Sequence, residues 1–168
     1  MTSPAVDQLL YLLDEAFNQS DEHSLTANVA GLKPEEWTAR PPGAQRAILA
    51  IFGHAAATKY LYENHVFGDG TMGWTDHILT PIPPGASFSP GLMIEWAEEA
   101  HQRFRQAVAR LSESDLSEVR YASIWDQSAE TRWFIAQVIE HDLYHAGEIN
   151  HVRALLQGDD NWRGQVNA

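Results

Sequence analysis

Apolar residues recur at steps of three and four along most of the chain, and this spacing places them on one face of an α-helix. Four such stretches predict helices over about residues 3–31, 44–67, 89–111 and 128–158. The first and third stretches open with a serine followed by a proline, a pair typical of helix starts. Glycines follow the first, second and fourth stretches, as expected where helices end.

The segment between the second and third predicted helices, residues 68–88, is rich in glycine, proline and threonine and has no sustained period. Because antiparallel neighbours need only a short loop, this long crossover predicts that the two helices run parallel. No alternation of apolar and polar residues indicates a strand. We therefore predict an all-α fold, a single four-helix-bundle domain over residues 1–158, with a polar tail over residues 159–168.

The composition limits the chemistry that the chain can carry out. It has 11 Lys+Arg and 23 Asp+Glu, a formal charge of −12 at pH 7 with histidine neutral. This acidity argues against a nucleic-acid partner, which a basic surface would bind by displacing counterions. No apolar run approaches the ~20 residues that cross a bilayer, and no basic residue precedes Lys33, so we expect a cytoplasmic protein without membrane contact. Because cysteine is absent, any metal must bind to imidazole, carboxylate or backbone oxygen.

Two histidines, His141 and His145, interrupt the apolar face of the fourth predicted helix. A separation of four residues turns an α-helix by about 400°, so both imidazoles leave the same side one turn apart. Two nitrogens placed in this way can reach one cation at about 2.0–2.1 Å, as zinc requires. The alternative is a hydrogen-bonded pair in the core, because unpaired buried imidazoles would cost roughly 1–3 kcal/mol each.

His54 is the natural third ligand, since it lies midway along the second predicted helix at the height of the pair. Three neutral imidazoles leave one or two coordination positions open, as in catalytic metal sites. Glu148 follows His145 by three residues on the same side, where it can accept a ligand N–H, coordinate directly or act as a base. Asp142 is turned about 100° away from His141, which predicts a surface residue or a partner of another helix.

On these residues the chain resembles the DinB-like family of four-helix-bundle proteins. The resemblance is carried by Ile51-Phe52-Gly53-His54 and by residues 141–149, with support from the turns over 31–37 and 40–42. It covers about residues 5–157.

The resemblance implies an up-down-down-up bundle, a frequent homodimer and a divalent metal on His54, His141 and His145. The metals of the family include zinc, nickel, iron and manganese. Characterised branches are transferases or isomerases that use low-molecular-weight thiols, and other members are described as metal hydrolases, which implies a small-molecule substrate. Glutamine is common in the family where this chain has Glu148, so the carboxylate adds a base or a further ligand.

Three functions compete at this point. The leading one is an enzyme whose divalent metal activates water or a low-molecular-weight thiol, which a cosubstrate must supply because the chain has no cysteine. The second is a non-catalytic metal-binding or scaffold protein. The third is a di-iron carboxylate protein, which uses Glu-x-x-His pairs on two helices and single glutamates on two others. The residues with that spacing are Glu98 with His101, Glu148 with His151, and the single glutamates Glu15 and Glu63. This third interpretation leaves His141 and His145 without a role.

Overall fold

The computed structural model describes residues 3–79, 82 and 87–159, and this part of the chain is mostly helical with one two-stranded sheet. The α-helices are α1 (Pro4–Asp14), α2 (Pro34–Thr38), α3 (Ile48–Tyr62), α4 (Pro90–Ala109) and α5 (Thr131–Gln157), and the strands are β1 (Val119–Ala122) and β2 (Gln127–Glu130). Turns of π-helix follow α1 at Glu15–Gln19 and α3 at Glu63–Phe67, and 3-10 turns lie at Ala27–Val29, His77–Leu79, Ser114–Ser117 and Ser123–Trp125. The all-α class is therefore confirmed for these residues.

The predicted helix starts at the two serine–proline pairs are confirmed. The Ser3 hydroxyl accepts a hydrogen bond from the backbone N–H of Val6, and Ser89 caps α4 in the same way through Leu92. Each cap satisfies an N–H that the first helical turn leaves without an intrahelical partner. At the other end of the fold, Gly158 adopts a φ of 78° and ends α5 in the left-handed conformation that glycine favours.

The prediction that the first helix continues to Gly31 is wrong, because α1 and its π-helical turn end at Gln19. The chain then folds back, and the backbone N–H of Leu25 donates to the carbonyl of Ala16 at 2.9 Å. Leu25 and Val29 are nevertheless buried. Their spacing therefore reflects burial in a turn rather than a continuing helix.

The expectation that the chain contains no strand is also wrong, since β1 and β2 form an antiparallel hairpin before α5. Burial alternates along β1, but the exposed positions hold apolar Val119 and Tyr121, while Arg120 shares the inner side with buried Ala122. The apolar pattern of the strand therefore does not indicate a core face. The hairpin is joined to α5 through Arg120, whose Nε donates to the Thr131 hydroxyl at 2.8 Å.

Four long helices enclose the core of the described chain. Helix α3 packs against α4 and α5, and α1 packs against the same two helices. Aromatic and aliphatic side chains fill the space between them, with Trp37, Phe52 and Phe17 in one buried cluster and Phe104 in another. Within the described ranges, no helix has the length and apolar character needed to cross a bilayer. The predicted tail lies outside those ranges from residue 160 onward.

Candidate metal centre

Three histidine side chains meet where α3 packs against α5, and we call His54, His141 and His145 the histidine triad. The Nε2 atom of His141 lies 3.2 Å from Nε2 of His54 and 3.2 Å from Nε2 of His145. One ring nitrogen from each residue lies within 4.8 Å of those of the other two. Two nitrogens bound tetrahedrally to zinc are about 3.3 Å apart, which follows from bond lengths of about 2.0–2.1 Å. The two separations at His141 therefore match the spacing that one such ion requires.

The local sequence explains this convergence. His141 and His145 leave the same side of α5 because they are one turn apart, as their spacing predicts. His54 lies near the middle of α3, and small buried residues after it, Ala55 and Ala56, allow close packing of the helix. His54 and His141 are half-buried, whereas His145 is buried, so the triad is partly open to solvent.

Burial keeps the three imidazoles neutral near pH 7. It lowers the pKa of His54 and of His145 from the ordinary value of 6.5. The pKa of His141 falls to about 3 because it is buried and lies beside the other two rings. Neutral imidazole has the free electron pair that a metal requires, whereas imidazolium has none.

Glu148 and Arg46 fix the orientation of the His145 ring through its Nδ1 atom, which points away from the other two histidines. The Glu148 carboxylate lies 2.9 Å from Nδ1 of His145, and both of its oxygens accept hydrogen bonds from Nη2 of Arg46 at 2.8 and 2.7 Å. Burial opposes ionisation of Glu148, but the hydrogen bonds from His145 and Arg46 outweigh it and lower its pKa. An ionised Glu148 requires the proton of His145 on Nδ1, which leaves the Nε2 electron pair facing the triad.

Asp142 is turned about 100° around α5 from His141, and it is not a surface residue. Its side chain is buried and forms an ion pair with Lys59 of α3, so the prediction of an inter-helix partner is confirmed and that of a surface position is wrong. Sequence reasoning missed both Lys59 and Arg46. Their partners lie 83 and 102 positions away along the chain, a separation that no local pattern indicates.

The residues of the di-iron interpretation do not come together. Glu98 and His151 are exposed, while buried His101 makes a contact of 3.0 Å with Asp14. Among the described residues, the triad is the single group of three or more histidine, aspartate or glutamate side chains close enough to hold one ion.

Comparison with models of known protein families gives a match. The family model of the DinB superfamily matches residues 18–149, a range that contains the triad together with Arg46 and Glu148. No curated protein matches the chain.

Proposed function

Because the chain belongs to the DinB superfamily, a family of metal-binding proteins, we propose that His54, His141 and His145 bind one divalent cation. The predicted family resemblance is thereby confirmed. The proposal is supported by the 3.2 Å spacing of Nε2 atoms and by the lowered pKa of each imidazole. Zinc, nickel, iron and manganese are the candidates that the resemblance predicts, and nitrogen ligands suit each of them.

The function that this site supports best is metal-dependent activation of water or of a low-molecular-weight thiol. When bound, a divalent cation with three imidazole ligands acts as a Lewis acid and lowers the pKa of a water or thiol at an open position. The half-buried faces of His54 and His141 give a small substrate access to that side. The thiol, if used, comes from a cosubstrate because the chain contains no cysteine.

Glu148 orients His145 in this proposal. Its carboxylate accepts the Nδ1–H of His145 and is held by Arg46, so both oxygens are already engaged. These three contacts take up most of the roughly four acceptor positions of a carboxylate, which leaves little capacity to accept another proton or to bind a metal. The contacts of Glu148 therefore favour orientation of the ligand over general base catalysis or direct coordination.

We also propose that α1, α3, α4 and α5 form the predicted up-down-down-up bundle, in a single domain over residues 1–158. Gly53 of α3 lies beside Met93 of α4, and Glu63, directly after α3, pairs with Arg103 of α4. Later residues of one helix therefore contact later residues of the other. This order supports a parallel pair. Arg46, just before α3, pairs with Glu148, whereas Lys59, late in α3, pairs with Asp142, which comes earlier in α5. This reversed order supports an antiparallel pair. The homodimer stays a prediction.

Activity assays with matched variants test the proposed function. Zinc-, nickel-, iron- and manganese-loaded proteins would be assayed for ester hydrolysis with p-nitrophenyl acetate, and for conjugation of 2-mercaptoethanol to an aryl halide. We expect turnover with at least one metal, loss of it in His145→Ala and retention of it in His101→Gln. If loaded protein binds metal but shows neither activity, the enzyme proposal fails and the non-catalytic alternative stands. A chelator that unfolds the protein would then indicate a structural metal.

A further inference from the structure

A buried ion pair, Lys59 with Asp142, links the same two helices that carry the histidine triad. Both side chains are 1% exposed, and the Lys59 ammonium bonds to Oδ1 of Asp142. Asp142 directly follows His141 on α5, and Lys59 lies five residues after His54 on α3. The pair and the triad are therefore two adjacent cross-links between one pair of helices, the first in the core and the second partly open.

This pair resists displacement more strongly than its apolar surroundings do. The ammonium lies 5.0 Å from the ring centroid of Phe17, and the other oxygen of Asp142 has no hydrogen-bond partner among the described residues. Separating the pair would leave each charge buried without compensation, which is strongly destabilising. The neighbouring apolar side chains make nondirectional contacts, which a small shift of one helix along the other disturbs less.

We propose that Lys59 and Asp142 are positioning residues for the metal ligands, because they fix the offset of α3 along α5. This inference rests on the proposed metal site. His54 is the single triad ligand on α3, whereas the other two share α5. Any change in helix offset therefore moves His54 relative to both partners. Ligand distances at a metal site tolerate only about ±0.2 Å, so a small shift of the helix is enough to weaken binding.

The other ionic contact near the triad is a weaker restraint. Arg46 and Glu148 have side chains 40% and 27% exposed. Water screens such a contact, and exposed pairs contribute little to stability. The buried pair is therefore the stronger polar restraint on the offset of the two helices.

The decisive variant is Lys59→Met/Asp142→Leu, which replaces the ion pair by apolar side chains of similar size. Such replacements often preserve or raise stability because they remove the cost of burying charge. If the pair served the fold alone, this variant would melt at or above the wild-type temperature and bind zinc equally well. We expect the melting temperature to be kept while zinc affinity falls about 10- to 100-fold, the range seen when support of metal ligands is removed.

A matched control is Arg153→Met. Arg153 is a buried cation on the same helix, and it donates to the carbonyls of Asn28 and Ala30, which lie in the segment before α2. We expect this variant to lose stability and keep wild-type zinc affinity. Circular dichroism gives the melting temperature, and competition with a fluorescent chelator gives the zinc affinity. The visible spectrum of bound Co²⁺ reports coordination geometry independently of activity.

The outcomes separate this inference from the proposed function. Wild-type protein that binds no zinc, Co²⁺ or other divalent metal would overturn both. Wild-type binding with equal affinity and an unchanged Co²⁺ spectrum in Lys59→Met/Asp142→Leu would overturn the positioning role alone. If the double variant does not fold, Lys59→Met is compared with Arg153→Met below both melting temperatures. If zinc affinity is reduced in Lys59→Met but not in Arg153→Met, the result supports the positioning role. Equal zinc affinities in the two variants would contradict it.

Discussion

His101 and the histidine triad lie in two regions of the helical core, and their partners differ. His101 on α4 is 1% exposed, stacks on Phe17 with ring centroids 4.1 Å apart and lies 3.0 Å from a carboxylate oxygen of Asp14. In the triad the nearest polar neighbours of the Nε2 atoms are other Nε2 atoms. Burial lowers the pKa in both places, to about 4 for His101 and about 3 for His141. Burial alone therefore does not distinguish the two regions, whereas the convergence of three ring nitrogens is found in the triad and is what the proposed metal site requires.

Removal of a triad ligand should have the largest effect on metal binding. We expect His145→Ala to weaken zinc binding by at least about 1,000-fold. Even the loss of a residue that hydrogen-bonds to a metal ligand lowers metal affinity about 10- to 100-fold. His101→Gln should bind zinc within about threefold of wild type, because a residue outside the donor set makes no metal bond. Competition with a chelator measures both affinities. A normal affinity in His145→Ala would contradict the proposed metal site.

The pH dependence of stability should distinguish His101 from its glutamine variant in metal-free protein. The unfolded chain takes up a proton at the ordinary pKa of 6.5, but folded His101 does so only near its lowered pKa of about 4. Between these values the unfolded state binds more protons, so stability falls as pH drops from 6.5 to 4.

Over that range wild type should lose roughly 3 kcal/mol more than His101→Gln, at about 1.4 kcal/mol per pKa unit. Urea unfolding at a series of pH values measures the difference. The triad titrates in both proteins and cancels in the comparison. Parallel curves for the two proteins would show that His101 is not kept neutral by burial.

Zinc should stabilise the fold through the triad and not through His101. At free zinc 100-fold above the dissociation constant, the free energy of unfolding should rise by about 2.7 kcal/mol in wild type and in His101→Gln. His145→Ala should gain none of this. Urea unfolding with and without zinc measures the increment. An equal increment in His145→Ala would place the stabilising zinc elsewhere.

The smallest effect on zinc affinity is expected at Glu148, which contacts the ligand His145 and not the metal itself. The amide of Glu148→Gln can still accept the Nδ1–H of His145, but it loses the charge that pairs with Arg46, so zinc affinity should fall about tenfold. The matched change beside the other histidine, Asp14→Asn, should leave zinc affinity unchanged. Complete loss of binding in Glu148→Gln would instead identify Glu148 as a direct ligand.

The sequence predicted the elements whose signals are local. Ser3 and Ser89 each cap a helix through a contact three residues away, so the starts of α1 and α4 could be found from spacing. In β1 of the hairpin, apolar Val119 and Tyr121 are exposed and Arg120 lies on the side of buried Ala122, so the strand has no apolar face that a single sequence would reveal.

The same distinction applies to the site. His141 and His145 could be paired from their spacing on one helix. His54 could be predicted as the third ligand because it lies midway along its own helix, level with that pair. Arg46 and Lys59 were not found, because a long-range ion pair depends on which helices pack together. A lysine within an apolar helix is equally consistent with a solvent-facing side chain, and only its tertiary partner distinguishes the two.

X-ray absorption at the zinc edge tests the central claim most directly. For protein loaded with one equivalent of zinc, we expect one ion per chain with three imidazole nitrogens at about 2.0–2.1 Å and an oxygen ligand completing the shell. His101→Gln should give the same spectrum. A shell made of oxygen alone, or a second metal at short distance from the first, would contradict a single ion held by His54, His141 and His145.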